Sequence, residues 1–355
     1  MAGWQRRSGC RKAKIPIFAS VREQTVNVRS IVRKCQRVLV QSRVSPVSRP
    51  AILLTLTLAV AGLVASISTN FVMASLPNVM PLVAGIIAID AISQFAPRTR
   101  IVEAVQTFIY GVLYLVTTCL FGVLAAYGMQ RFAFPLQDHF LAGADAALGL
   151  HWLDFASWLD RHGEVQSVLH VAYNTISIQI ALPLLVLAFS HEADEARVYL
   201  LAFAIAFTLT IFVSALMPAA GPIASVDRTA FHILRFTGAT PLDHLMRLRE
   251  AGPLVLREAP GGIATFPSFH ATIAILTPLA LHRYRRILIA LIFLDAAMLG
   301  ATITEGAHYF SDVIAGSCVA LFAYLLARRI IGVEANPFRR TGEAAGRLSP
   351  AAHAR

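Results

Sequence analysis

Charged residues are scarce in this chain of 355 residues, and their scarcity excludes most soluble architectures. Only 14% of the residues are charged and 56% are hydrophobic, whereas soluble domains average about 25% charged and about 45–50% apolar residues. Lysine is absent after Lys34. The apolar residues fall into runs of about 17–25, the length that crosses a hydrocarbon core of about 30 Å. The composition therefore predicts an integral membrane protein with several spans.

Cysteine is equally sparse, with four residues in the whole chain. None of the four belongs to a C-x-x-C pair, and Cys119 and Cys318 lie inside apolar runs. This pattern predicts neither a disulfide framework nor a metal site, and the sequence implies no cofactor.

Acidic residues are almost missing from the N-terminal segment, 1–50, which carries twelve Lys or Arg against the single acid Glu23. No apolar core of a signal peptide precedes the first apolar run. We interpret the segment as a basic cytoplasmic flank of the first span, although an Arg-rich, acid-poor start is also found in transit peptides. The net charge of +11 does not predict a nucleic-acid partner, because the charge lies beside membrane spans.

The apolar runs predict eight spans in an all-α, polytopic membrane helix bundle. A less apolar stretch, 130–165, follows the third span, and its aromatic residues recur at helical spacing, which predicts an interfacial helix. A long polar loop, 218–264, precedes the sixth span. The predicted spans are 51–75, 79–96, 101–127, 166–190, 197–217, 265–282, 287–304 and 308–331.

The distribution of Lys and Arg predicts the orientation of these spans. With the N-terminus inside, 24 basic residues lie on the inner side and 7 on the outer side, as the positive-inside rule requires. Both termini are then cytoplasmic. The loop 218–264 and the starts of the sixth and eighth spans face outward, which in a bacterial inner membrane is the periplasm.

One short motif, Phe266-Pro267-Ser268-Phe269-His270, stands at the outer start of the sixth span. Pro is favoured in the first turn of a helix, and Ser can cap that turn. The free N–H groups of a helix start form an anion site, and His270 lies one turn in, within reach of a bound phosphate. Taken alone, His270 could equally be a histidine at the membrane interface.

A second motif, Gly306-Ala307-His308-Tyr309-Phe310-Ser311-Asp312, stands at the outer start of the eighth span. His308 and Asp312 are four residues apart and share one helix face. A carboxylate that accepts a hydrogen bond from one ring nitrogen leaves the other nitrogen free as a nucleophile. The alternative is a structural ion pair or capping pair.

Together the two motifs resemble the type 2 phosphatidic acid phosphatase (PAP2) superfamily, over roughly residues 140–332. The pattern Pro267-Ser268-x-His270, followed by His308-x-x-x-Asp312, carries the resemblance. Within the superfamily, Gly306-x-His308-Tyr309-x-x-Asp312-x-x-Ala315-Gly316 is most similar to the inositolphosphotransferase branch, that of inositol phosphorylceramide synthase and its bacterial relatives. The segment Pro218-Ala219-Ala220-Gly221-Pro222 resembles that branch's degenerate first motif.

This resemblance implies a phosphatase or phosphotransferase that acts on a lipid phosphate within the membrane. His308 is expected to attack phosphorus and form a phosphohistidine, His270 to act as general acid and base, and Asp312 to orient His308. The implied fold is a core of about six helices with two extra N-terminal spans. The implied segments are N-terminal transmembrane helices, 51–127, a catalytic membrane domain, 128–332, and a basic cytoplasmic tail, 333–355.

The chain departs from the phosphatase pattern at its cationic positions. Ala301 and Thr302 stand where the pattern has Ser-Arg, and the first motif lacks its Lys and Arg-Pro. Phosphoryl transfer needs its charge neutralised, and arginines of the long loop are the remaining candidates for that role. The absence of cations at the usual positions favours a phosphodiester substrate. The candidates are Arg228, Arg235, Arg247, Arg249 and Arg257. The expected substrate-binding set is Ser268, Gly221, Arg228, Arg235 and Thr302.

Three other functions fit parts of the sequence. A phosphatidic acid or polyprenyl phosphate phosphatase would share the motifs. A metal-dependent hydrolase could use His270, His308 and Asp312 as zinc ligands. A transporter could place the intramembrane acids Asp90 and Asp295 on its path, but it would predict a site at the midplane, whereas both motifs lie at one membrane face.

Overall fold

The computed structural model describes residues 46–74, 99–227, 231, 239–257 and 261–333, with isolated residues between 81 and 89. The predicted N-terminal segment and basic tail lie almost wholly outside these residues. The elements are α1 Arg49–Ser68, β1 Phe71–Met73, α2 Arg100–Gln130, α3 Asp138–Ala147, α4 Trp152–Asp160, α5 Gly163–Asn174, α6 Ile176–Phe189, α7 Ala193–Leu216, a 3₁₀ turn Pro222–Ser225, α8 Ala239–Leu248, β2 Leu254–Leu256, α9 Phe269–Ala280, α10 Arg285–Thr304 and α11 Phe310–Ile331.

Five of the described helices, α1, α2, α7, α10 and α11, are long and apolar enough to cross a membrane, and a sixth span is formed if α5 and α6 count as one. The predicted all-α, polytopic membrane bundle is therefore confirmed, but the count of about eight spans is not. The predicted second span, 79–96, lies mostly outside the described residues. The predicted sixth span, 265–282, contains a helix of only 12 residues, α9.

Helix α7 is the centre of the bundle. Its apolar stretch is 83% buried, against 28–39% for the other four spans. It packs on α1, α2, α6, α9 and α11. The remaining spans keep one apolar face outward, as helices in contact with lipid do.

Helices α1 and α2 run in the same direction, side by side. Thr55 and Thr118 share a hydrogen bond of 2.8 Å, and the Tyr114 hydroxyl donates to the Ala51 carbonyl at 2.9 Å. Further along both helices, Gly62 lies against the backbone of Ala125. The two helices therefore end at the same face of the bundle.

The predicted first span, 51–75, ends too late, because α1 stops at Ser68 and the chain enters strand β1. Strand β1 pairs in parallel with β2, from the long loop. The Arg131 guanidinium, just after α2, donates to the carbonyls of Thr69, Leu248 and Glu250 at 3.2, 3.0 and 2.7 Å. These are contacts between distant parts of the chain, which apolar run length cannot reveal.

The fourth predicted span is broken at Thr175, where α5 meets α6 at an angle of 51°. The side chains of Asn174 and Thr175 donate to the carbonyls of His170 and Ala172, at 2.8 and 2.6 Å. Such bonds compete with the backbone ladder and bend helices. The bend turns α5 toward the starts of α9 and α11.

Helices α9 and α11 approach each other very closely at their starts. The Ser268 N–H donates to the Asp312 carbonyl at 3.0 Å, and the Thr272 hydroxyl donates to the Gly316 carbonyl at 3.0 Å. A Cβ on Gly316 would collide with the Ser268 carbonyl oxygen. This position therefore has to be glycine, and it brings the two sequence motifs together.

We expect Gly316→Ala to lower the free energy of unfolding by about 1–3 kcal/mol, the usual cost of overpacking. Gly300→Ala is the matched control, because it also adds a methyl group to a membrane helix but meets only Leu169, at an ordinary distance of 3.7 Å. Thermal unfolding in one detergent compares them. Equal midpoints for the two variants would contradict the close contact.

Candidate active site

His270 and His308 line one cavity, of about 190 Å³, at the end of the bundle where α9 and α11 begin. The apolar part of its wall includes residues of α2 and α7, among them Gly122, Phe207 and Ile211. The polar side chains of the wall are those of Tyr127, Tyr173, Thr210, Thr265, His270, Glu305 and His308. The cavity thus combines an apolar side with one wall of titratable groups.

His308 is held by Asp312 through a bond of 3.2 Å between Nδ1 and Oδ2. His308 is 4% exposed and Asp312 is fully buried. The same oxygen, Oδ2, accepts the Tyr309 N–H at 2.9 Å, which closes a capping box at the start of α11. An Nδ1–H donated to a carboxylate leaves Nε2 free to act as a nucleophile.

A tight turn between α10 and α11 presents His308. The His308 N–H donates to the Thr302 carbonyl at 3.3 Å. Ala307 has a φ of 52°, in the left-handed region that non-glycine residues rarely adopt. A Cβ on Gly306 would collide with the His308 ring. The His308 ring therefore leaves no space for a side chain at position 306.

His270 lies in the first turn of α9, which Ser268 caps by accepting the Ala271 N–H at 3.3 Å. The imidazole stacks on the Tyr173 ring, with 4.0 Å between centroids and an interplanar angle of 12°. Tyr173 is in α5, so the bent span supports the ring of this histidine. The stacking fixes the plane in which His270 can donate or accept a proton.

A carboxylate that the sequence did not single out caps α11. Asp145, in α3, is 3% exposed. Its two oxygens accept the N–H groups of Ser311 and Phe310, each at 2.8 Å. An acid at a helix start satisfies the free N–H groups and complements the helix dipole. It therefore fixes the helix start that carries His308 and Asp312.

Asp138, at the other end of α3, holds the segment 218–222. Its carboxylate accepts the N–H groups of Ala220 and Gly221, at 3.0 and 2.8 Å, and the Tyr309 hydroxyl at 3.2 Å. Burial, together with the nearby Asp138 charge, raises the pKa of Tyr309, so its hydroxyl stays protonated as a donor. Gly221 has a φ of 83°, and a Cβ there would collide with the Ala307 carbonyl.

Asp138 and Asp145 were missed because they lie in the stretch 130–165, which the aromatic spacing predicted only as an interfacial helix. Their separation of seven residues, two helical turns, was the available signal, since it places both on one face. The stretch forms two short helices, α3 and α4, instead of one.

Three of the expected substrate-binding residues are buried and lie behind the cavity surface. Ser268 is fully buried as the cap of α9, and Gly221 is held by Asp138. Thr302 is fully buried, and its hydroxyl donates to the Leu299 carbonyl at 2.7 Å. They support the histidines in this structure, and their contact with substrate stays a prediction.

The expected arginines do not appear in the described wall. Arg228 and Arg235 lie outside the described residues. Arg249 donates to the Phe134 carbonyl at 2.8 Å, and neither it, Arg247 nor Arg257 lines the cavity. Within the described ranges, no Lys or Arg contributes to the wall. Among those same residues, no group of three or more His, Cys, Asp or Glu is arranged to hold a metal.

The family model of the PAP2 superfamily matches residues 139–326, just over half of the chain. The chain belongs to the PAP2 superfamily. The match runs from α3 into α11 and contains His270, His308 and Asp312, whereas α1 and α2 precede it. No curated protein and no solved structure matches the chain significantly.

Members of the PAP2 superfamily act on phosphoesters as phosphatases, and the two histidines of this PAP2 protein share a cavity suited to that chemistry. The match is to the superfamily as a whole and does not distinguish the inositolphosphotransferase branch.

We expect Asp145→Ala to lower the kcat for phosphoester turnover by about tenfold to hundredfold. Two buried N–H groups lose their acceptor, so the start of α11 shifts, and small misplacements of reacting groups can reduce rates by that factor. Asp154→Ala, in the adjacent helix α4, is the control, because Asp154 is exposed. Equal kcat values for the two variants would show that the Asp145 cap does not position the site.

Proposed function

We propose that this protein is a membrane lipid phosphatase or phosphotransferase that works through a phosphohistidine on His308. The observation that carries the proposal is the buried His308–Asp312 pair, at 3.2 Å, in the cavity that His270 also lines. This arrangement supplies a nucleophile, a group that orients it and a second titratable group, the elements that covalent catalysis with general acid–base assistance requires.

In the proposed first step, His308 Nε2 attacks phosphorus in line and the bond from phosphorus to the leaving alcohol breaks. His270, in its protonated form, donates a proton to the leaving oxygen. The products are the free alcohol and a phosphohistidine, while Asp312 stabilises the positive charge on the His308 ring.

In the second step, His270 accepts a proton from the incoming nucleophile, whose oxygen attacks phosphorus. The bond between phosphorus and nitrogen breaks, and His308 is restored. Water as the nucleophile gives a phosphatase, whereas a lipid hydroxyl gives a transferase. The apolar side of the cavity, formed by residues such as Phe207 and Ile211, suits a lipid in either position.

The proposed substrate class is a phosphodiester lipid, as in an inositolphosphotransferase. A phosphomonoester carries close to two negative charges near neutral pH and calls for fixed cations, best supplied by Arg. In the described wall the charged side chain besides the histidines is the acid Glu305. A diester carries one charge, so it needs less cationic stabilisation from the wall.

We expect kcat/KM for phosphatidylinositol to exceed that for phosphatidic acid by about tenfold or more in one detergent, a difference of about 1.4 kcal/mol in transition-state stabilisation. His308→Ala sets the background and should abolish turnover of both lipids. A clear advantage for phosphatidic acid would return the protein to the alternative, a phosphatidic acid or polyprenyl phosphate phosphatase. More than a few per cent of activity in His308→Ala would overturn its assignment as nucleophile.

We further propose that the cavity faces away from the cytoplasm, which in a bacterial inner membrane is the periplasmic side. Helix α1 begins at the end of the bundle opposite the cavity and follows the basic segment 1–50. At that same end, Arg283 and Arg328 pair with Glu195, both at 3.0 Å. The basic residues that the structure describes at this end, and the basic segment that precedes α1 in the sequence, support a cytoplasmic location.

Cysteine labelling tests this orientation in a protein whose four native cysteines have been replaced. We expect Gly262→Cys, an exposed position on the cavity loop, to react with a membrane-impermeant maleimide in intact bacterial cells. Arg286→Cys, exposed at the other end, should react only after the membrane is permeabilised. The reverse pattern would contradict the proposed orientation.

A further inference from the structure

Glu305 is a buried acid in the wall of the cavity, and the proposed reaction does not use it. It follows the last residue of α10 and precedes His308 by three residues. It is 8% exposed and lines the same cavity as His270 and His308. A buried carboxylate beside a phosphate site is costly, so its presence calls for a partner that the substrate can supply.

The protein itself supplies one hydrogen-bond partner for Glu305, from an exposed side chain. His170, in α5, lies 3.2 Å from Glu305, between Nδ1 and Oε2, and its own side chain is 60% exposed. Asn174 lies 3.3 Å from the His170 ring and donates to its carbonyl. These contacts hold one oxygen of Glu305. In the part of the chain that the structure describes, no donor reaches the other oxygen, Oε1.

The surroundings of Glu305 indicate which ligand group would complete the hydrogen bonding of its carboxylate. A second phosphate oxygen is excluded by charge, since two anions repel each other. The remaining polar side chains of the wall, apart from the histidines, are neutral hydroxyl groups: those of Tyr127, Tyr173, Thr210 and Thr265. Among the described residues, none forms a hydrogen bond with the buried Thr210 hydroxyl. A hydroxyl ligand can donate to a carboxylate and also exchange hydrogen bonds with such groups.

We propose that Glu305 determines substrate specificity by accepting a hydrogen bond from a hydroxyl group of the substrate's headgroup. This inference rests on the proposed function, because it requires a phosphodiester, which carries a headgroup alcohol on the phosphorus that reacts in the cavity. Glu305 then selects polyol headgroups over headgroups without donors, while His170 is a positioning residue that orients the carboxylate.

The decisive comparison uses lipids of equal charge. Phosphatidylglycerol and phosphatidylinositol carry hydroxyl groups, whereas phosphatidylpropanol has the same single negative charge and none. We expect Glu305→Ala to lower the kcat/KM ratio of either polyol lipid to phosphatidylpropanol by about tenfold, as expected for loss of a hydrogen bond to a charged group. Phosphatidylpropanol turnover itself should change less than about threefold.

Two further variants make the comparison robust. Glu305→Gln keeps the size and one acceptor, so it should lower the ratio by a smaller factor, and it carries the test if Glu305→Ala does not fold. Glu164→Ala, an exposed acid in α5, should leave the ratio unchanged.

Each outcome bears on one claim. An equal fall in kcat/KM for all three lipids would mean that Glu305 only supports the fold. Unchanged kcat/KM values for all three would mean that Glu305 does not touch the headgroup. Either result overturns this inference and leaves the proposed function standing. Phosphatidylethanolamine serves as a fourth lipid, and a fall confined to it would assign Glu305 to an ammonium group and also overturn this inference. Turnover of phosphatidic acid alone would overturn the proposed function and this inference with it.

Discussion

The structure depends on how carboxylates are satisfied at the start of α11. Asp312 is fully buried there, and a buried charge is tolerated only with hydrogen-bond donors around it. The His308 ring and the Tyr309 N–H both donate to its Oδ2, whereas no described donor reaches the buried Oδ1. Its backbone carbonyl accepts the N–H of Ser268, the cap of α9. The group that orients the proposed nucleophile therefore also joins the two helix starts.

Helix α3 extends the same principle to the rest of the site. Asp145 caps α11 and Asp138 holds the loop at Gly221, so one short helix fixes two chain segments through backbone N–H groups. Backbone donors place few demands on the residue types in those segments. The segment 218–222, which has no cationic side chain, is therefore held at Gly221 against Ala307, beside His308.

The sequence predicted what depends on local spacing. Runs of apolar residues predicted the membrane bundle, and the starts of α9 and α11 lie beside the two motifs, as their capping residues indicated. The boundaries of α2, α7 and α10 agree with the predictions to within a few residues, because hydropathy is a sum over neighbours. The second predicted span lies mostly outside the described residues, Arg228 and Arg235 lie wholly outside them, and all three stay predictions.

The amino-acid sequence by itself determined the all-α membrane class, membership of the PAP2 superfamily and the pairing of His308 with Asp312, since these follow from composition, motif and the helical repeat. Only the tertiary structure decided that Asp138 and Asp145 anchor the site, that Tyr173 stacks on His270 and that Glu305 enters the cavity beside His170. Those contacts join residues 83 to 165 positions apart, and burial and hydrogen bonding between such residues arise only when the helices pack.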